Sequence, residues 1–479
     1  MRDLQKTMLA ELADKTVYEC AHRHGLAYLE QLCERGVYPS VDALERLSVF
    51  DEAFPASSED AVSVINMLHE YGAEATVASG GGRYFGFVTG GAVPAGHAAK
   101  VLGTYWDQNS AMHVMSPLVS QLELVVTRWF QQIFDLPEQT VAGFVSGTSL
   151  ATFCGLAAAR YRLLARAGWD VNEQGLFGAP QIRVVTSRQA HSTVIKAIGM
   201  LGFGKGNIEW VDVDDQGRLL ASALPQLDNR TLVILQAGNV NSGSFDPFAE
   251  ICEQAAKAGA WVHVDGAFGM WAGATQQLRH LTYGIELADS WATDGHKTLN
   301  TPYDCGIALC RDQEALTASL HMSGGYLMPS NTSNDDIPER DGMFFTPEMS
   351  RRARVIELWA TLKYLGRAGL NEMVYGLHER AVQFADAVQK HEGFEVLNDV
   401  VFNQVLIQCA TDALTDCVLE RIQDLRTCWV GGSTWDSHRV IRVSVCSWAT
   451  TEEDIQRSVA SFARAFTDVH TTRQEPHAI

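Results

Sequence analysis

At 479 residues the chain is too long for one compact core and predicts two or three lobes. Hydrophobic residues make up 46% and charged residues 20%, the composition of an ordinary globular protein. A net charge of −20 argues against nucleic-acid or anionic-membrane partners, because the surplus repels phosphates.

Any phosphate bound here must therefore be held locally, by backbone amides and a few side chains. Ten cysteines run from Cys20 to Cys446 without CxxC or CxxH spacing, which reads as reduced thiols in a cytosolic protein without a metal site. The opening MRDLQKTMLAELADKT lacks an apolar run of signal-peptide length, and no stretch reaches 18 apolar residues. The expectation is a soluble, cytoplasmic protein.

Residues 1–75 carry leucines and alanines at helical spacing, broken at VYPS (37–40) and FPASSED (54–60). This arm has no core signal of its own and is expected to pack across something larger, such as another subunit. GGGRYFGFVTGG (80–91) is a Gly-rich loop with aromatics that either lines a pocket or links two elements. Ser116 and Pro117 open a helix predicted over 116–134, which carries Glu123 and Trp129.

Strands are predicted at 141–145, 182–187, 208–213, 231–237, 260–265 and 306–310, with helices at 150–167, 192–201 and 247–258. Apolar strands alternating with amphipathic helices imply an α/β lobe on a mostly parallel sheet, with its ligand beyond the strands' carboxyl ends. SRRARVIELWATLKYL predicts a helix over 350–365 that leads out of this lobe. A smaller α+β lobe follows, with strands within 400–409 and 439–448, and the tail TTRQEPHAI is expected to fray. The expected division is an arm at 1–75, a large lobe at 76–365 and a small lobe at 366–479.

The chemistry is concentrated in WVHVDGAFGMW…ATDGHKT. Asp265 arrives at the end of a buried strand, and Gly266 and Ala267 are small enough for a flat ring to lie against the backbone. Lys297 follows 32 residues later in a tight polar turn. Pyridoxal phosphate chemistry needs a lysine amine for the Schiff base and a carboxylate that keeps the pyridine nitrogen protonated. Taken singly, Asp265 reads equally as a helix N-cap and Lys297 as a solvated surface residue.

Four further stretches fit the same cofactor. VSGTSLAT (145–152) runs from strand to helix, so Gly147, Thr148 and Ser149 offer a phosphate seat or a plain N-cap. His191, after a strand and at a helix start, can stack on a pyridine ring or be structural. Asn239, Asn241 and Ser242 end a strand, suited to the cofactor's phenolic oxygen, to a substrate carboxylate, or to a turn. His296 either reaches the phosphate or faces the surface.

AHSTV, HVDGAFG, DGHK and PYDCG resemble the group II pyridoxal-phosphate decarboxylases, the family of aromatic-amino-acid, histidine and glutamate decarboxylases with the type I aminotransferase fold. The resemblance runs from about residue 80 to the C-terminus and includes SPLVSQLE, PEMSRRAR and IRVSVCSW. It implies that Lys297 is the Schiff-base lysine, Asp265 the partner of the pyridine nitrogen, and His191 the stacking residue, with Ala267 on the opposite ring face. It further implies phosphate contacts for Thr148, Ser149 and His296, with Ser350 approaching the neighbouring site of a homodimer whose active sites lie at the subunit interface.

Two departures from the family pattern stand out. Asp294 replaces an asparagine common in the family, and a carboxylate there would repel the phosphate. The loop tyrosine that protonates the carbanion in many members has no counterpart in 327–362, where Asp341, Met343, Phe344 and Phe345 lie nearby.

The expected reaction is α-decarboxylation of an L-amino acid, with water or His191 returning the proton. The alternatives are decarboxylation-dependent oxidative deamination to an aldehyde, transamination, and a catalytically silent cofactor-binding protein. Phe85, Trp106, Asn109 and His113 are pocket candidates, with core packing an equal explanation for Phe85 and Trp106, and Arg442 pairs either with an acidic substrate group or within a structural ion pair.

Overall fold

The structure, a computed structural model, describes residues 2–321 and 339–474. Seven strands form the central sheet: β1 (Val141–Val145), β2 (Arg183–Ser187), β3 (Ile208–Val211), β4 (Thr231–Gln236), β5 (Trp261–Asp265), β6 (Ser290–Asp294) and β7 (Gly306–Cys310). Their order is β1-β7-β6-β5-β4-β2-β3, and β7 runs antiparallel to both of its neighbours while β3, β2, β4, β5 and β6 are mutually parallel. The sheet therefore belongs to the α/β class expected, with one reversed strand.

The strands read as continuous apolar runs because both faces are covered. Successive residues of β4 go to opposite cores: Val233 and Leu235 pack with Phe130, Phe144, Trp271 and Trp291. Leu232 and Ile234 pack with Leu156, Leu163 and Val194 on the other side. The helices Pro117–Ile133 and Phe248–Ala258 cover the first face, and Thr148–Arg166 with Ser192–Met200 cover the second.

β6 was not foreseen. Only Trp291 and Ala292 are apolar in Ser290–Asp294, yet every residue of the strand is buried. Its polarity is absorbed internally: Trp261 Nε1 donates to Ser290 Oγ at 3.0 Å, and His263 Nδ1 lies 2.8 Å from the same oxygen.

The helix expected over 350–365 begins only at Val355 and continues to Val388, interrupted at Gly366, whose φ of 58° and ψ of −171° leave the helical region. The residues before it are held by charge pairing instead: Arg351 and Arg340 both reach the buried Glu123, at 2.8 and 2.9 Å. A second, antiparallel sheet of β8 (Glu395–Val396), β9 (Gln404–Gln408), β10 (Gly431–Trp435) and β11 (His438–Ser444) packs on Asp412–Leu425 and Glu452–Gln474 around Phe384, Val418 and Phe462. Phe85 is fully buried in this core against Phe384, so it is a packing residue and not a pocket wall. The N-terminal arm is helical at Arg2–Asp14, Thr16–Gln31, Val41–Glu45 and Ala61–Gly72. Of the tail, 475–479 lie outside the described residues.

His263 sits inside β5 with no exposure, its Nε2 unpartnered, and burial pulls its pKa down to about 3. The unfolded chain protonates this imidazole below about pH 6.5 while the fold resists it, so stability present above that pH is lost on acidification. Between pH 7 and 5 this one residue removes about 2 kcal/mol. In His263→Gln the fall in Tm between those pH values should be smaller than in the parent; equal falls would remove His263 as its source.

Candidate active site

β1, β2, β4, β5 and β6 end at one edge of the sheet, so the loops that follow them converge. After β1, Gly147 takes an extended conformation (φ −179°) and Thr148 opens a 19-residue helix. Thr148 is buried and its Oγ1 has no partner, whereas Ser149 is exposed. After β2, His191 caps the helix Ser192–Met200: its Nδ1 accepts the N–H of Thr193 at 3.3 Å and lies 2.7 Å from the Thr193 hydroxyl. That commitment places the ring proton on Nε2.

After β4, Asn239 Oδ1 accepts the amides of Asn241 and Ser242 (2.9 and 3.2 Å), leaving its buried Nδ2 without a partner. Asn241 is turned away to Ser433 of β10, at 2.7 Å, and the Ser242 hydroxyl donates to the Gln216 carbonyl at 2.6 Å. Asn241 and the Ser242 carbonyl, which accepts from Asn398 at 2.9 Å, thus face the region of the second sheet.

Asp265 ends β5 fully enclosed, and among the described residues its carboxylate receives one hydrogen bond, from the N–H of Ala267 at 3.2 Å. Burial raises its pKa, opposed by the charges of His191 and Lys297. His191 is held below its ordinary pKa by burial, with Asp265 acting against this and Lys297 and Arg442 with it. The carboxylate, imidazole and amine thus share one electrostatic space. Ala267, half-buried, adjoins them and accepts the N–H of Asp294 at 2.9 Å.

Lys297 is built into a turn after β6. Its Nζ lies 3.1 Å from Asp294 Oδ2, and Asp294 Oδ1 accepts the Thr148 amide at 2.7 Å. His296 Nδ1 accepts the Cys305 amide at 3.0 Å while Tyr303 covers the ring at 4.3 Å between centroids. Asn300, fully buried with φ 58°, binds the turn from below: its Nδ2 donates to the carbonyls of Lys297, Thr298 and Cys446 (3.2, 2.8 and 2.9 Å). Its Oδ1 accepts the amides of Gly91 and Trp448, at 2.7 and 3.0 Å.

Sequence reasoning missed both Asp294 and Asn300. A carboxylate in the turn argued only for repulsion, and nothing in HKTLNT marks an asparagine as a hub.

The remaining candidates separate. Ser350 is exposed in a bend beside the buried Arg351, away from the hydrogen bonds that tie the lysine turn together among the described residues. Trp106 is partly exposed at a helix end, Asn109 accepts the Ala111 amide at 3.0 Å, and His113 faces Glu339 at 3.8 Å. Arg442 donates to the Val240 carbonyl at 3.2 Å but has no carboxylate within ion-pair distance among the described residues, so it is not a structural ion pair. The expected absence of a loop tyrosine concerns 327–338 in part, and these lie outside the described residues.

Among the described residues the site thus holds a buried carboxylate without an ion-pair partner, an amine beside Asp294, and buried unpartnered donors at Thr148 and Asn239. A protonated ring nitrogen, an aldehyde and a set of acceptor oxygens would complete these, and pyridoxal phosphate carries all three. The Gly-rich loop closes on the same turn: a Cβ on Gly90 would stand 2.1 Å from the Lys297 carbonyl oxygen. Gly90→Ala should therefore displace the lysine and slow covalent capture of pyridoxal phosphate by about tenfold to a hundredfold, with the circular dichroism unchanged. Unaltered capture kinetics would show that the loop does not position Lys297.

The profile of the pyridoxal-dependent decarboxylase conserved domain matches residues 45–409. The acidic amino acid decarboxylase GADL1 of Mus musculus is 30% identical over 270 residues, which is 55% of this chain and 48% of that protein. Tryptophan decarboxylase 1 of Oryza sativa subsp. japonica is 30% identical over 303 residues, 59% and 58% of the two chains. The chain thus spans about half the length of these curated relatives. The solved structure of Oryza sativa TDC with PLP and tryptamine superposes with a TM-score of 0.85 at 22% identity, covering 95% of this chain and 98% of that one, a likeness of fold. With the profile covering well over half of its length, the chain belongs to the pyridoxal-dependent decarboxylase family.

Proposed function

We propose that this protein uses pyridoxal phosphate to remove the α-carboxylate of an L-amino acid as CO2, releasing the amine. The observation that carries this reading is Asp265, a fully enclosed carboxylate with a single weak backbone donor, facing a histidine and a lysine. Burying such a group without a cation is costly unless a ligand provides one.

When bound, pyridoxal phosphate supplies an electron sink for the pair left behind as CO2 departs. Asp265 would hold the proton on the ring nitrogen and so keep that sink open. Lys297 would present the amine that anchors the aldehyde carbon. His191 and Ala267 would lie against the ring, Thr148, Ser149, Gly147 and His296 would hold the phosphate, and Asn239 would meet the phenolic oxygen. Burial holds the His191 pKa below its ordinary value, so at rest its Nε2–H is a hydrogen-bond donor, and the proton returned to the α-carbon would come from water or from the protonated form of this ring. Arg442, an arginine without a carboxylate partner, is the group available to orient a substrate carboxylate.

Ser350, at the surface, fits a contact made across a dimer, and we extend the reading to a homodimer with the arm packed on its partner. The exposed Leu4, Met8, Leu9 and Leu12 of the first helix support that placement. Ten free thiols support a cytoplasmic setting, and among the described residues no helix is long and apolar enough to cross a membrane. The division into arm, large lobe and small lobe at 75 and 365 is retained as part of this proposal.

Lys297→Ala should abolish both covalent capture of pyridoxal phosphate and turnover; full activity without the lysine would end the assignment. A screen of the twenty amino acids should give CO2 and amine in equal amounts. Aldehyde accompanied by peroxide would instead identify an oxidative deaminase.

A further inference from the structure

Asp294 is buried, with its side chain 3% exposed, and every oxygen is engaged. Oδ1 accepts the Thr148 amide at 2.7 Å, and Oδ2 lies 3.1 Å from Lys297 Nζ and 3.6 Å from His296 Nε2. Because His296 Nδ1 accepts the Cys305 amide, its proton lies on Nε2, facing Asp294. Burial holds the His296 pKa below its ordinary value, so this ring faces Asp294 as a neutral donor.

The same carboxylate stands at the start of the helix Thr148–Arg166. Gly147 supplies no side-chain cap there, and the buried Thr148 Oγ1 has no partner. Free amides, a helix dipole and an orphan hydroxyl together favour a phosphate. Asp294 occupies one of those amides and brings negative charge to their edge.

Resting on the cofactor reading above, we infer that Asp294 is a positioning residue with two opposed effects: it readies the Lys297 amine for covalent capture and weakens the hold on the cofactor's phosphate. In capture, the unprotonated amine adds to the aldehyde carbon, a C–N bond replaces the C–O bond, and the aldehyde oxygen leaves as water with the two amine hydrogens. Asp294 Oδ2, 3.1 Å from Nζ, fixes where that nitrogen stands in the turn. An amide at this position would keep the acceptor for Thr148 and lose the charge that holds Nζ.

The test titrates the full-length apo protein and its Asp294→Asn variant with pyridoxal phosphate and with unphosphorylated pyridoxal, following affinity and capture rate by absorbance. In the variant, affinity for pyridoxal phosphate should rise about tenfold or more, while capture of pyridoxal slows by a similar factor. Competition by inorganic phosphate should strengthen in parallel. Unchanged or weaker affinity for pyridoxal phosphate, or equal shifts for the two aldehydes, would overturn the inference. If Asp294→Asn does not fold, Asp294→Ser carries the same comparison. Parent protein that captures no aldehyde at Lys297 would instead bring down the cofactor reading itself.

Discussion

The active lysine owes its position to one buried asparagine. Asn300 gives its amide to three carbonyls and receives two backbone amides on its oxygen, so each polar atom of the side chain is used. The five partners come from the lysine turn, the Gly-rich loop and the segment after β11. A left-handed backbone at a non-glycine residue costs free energy and persists only where the surroundings fix it. Here the surroundings are those five bonds, and Lys297 inherits their rigidity.

Around that anchor the charges are arranged unequally. Asp294 and Lys297 balance each other across 3.1 Å, whereas Asp265 and Arg442 stand without opposite partners among the described residues. Glu123 by contrast holds two arginines in the core, next to β1, and is purely architectural. Enclosed charges left open beside enclosed charges fully paired mark where a ligand belongs. A surface carrying a net −20 offers little general attraction to a phosphate, so the local donors at Thr148 and the helix terminus carry that task.

Much of this was legible in the chain. Strands covered on both faces announce themselves as apolar runs, so β1 to β5 and β7 could be read with boundaries close to those found. β6 escaped because Ser290 and Thr293 break the run, and the Ser290 hydroxyl is reconciled only by Trp261 and His263 of a neighbouring strand. The helix expected from residue 350 failed for a related reason: SRRAR has helical composition, but its arginines are drawn to Glu123, Asp304 and Glu357. Asp265, His191 and Lys297 were readable because each sits at a strand end or helix start in a recognisable pattern. Asp294 and Asn300 act through partners far away in sequence, and no local pattern encodes such a role.

The fastening of Asn300 also has a consequence for how the protein is born. Gly91 and Trp448 meet on the same oxygen although more than three hundred residues separate them. A chain emerging from the ribosome can assemble its parallel sheet before Trp448 is made, but the lysine turn stays unlatched until that residue arrives. Readiness of the turn is thus a long-range event, completed well after the strands that frame it.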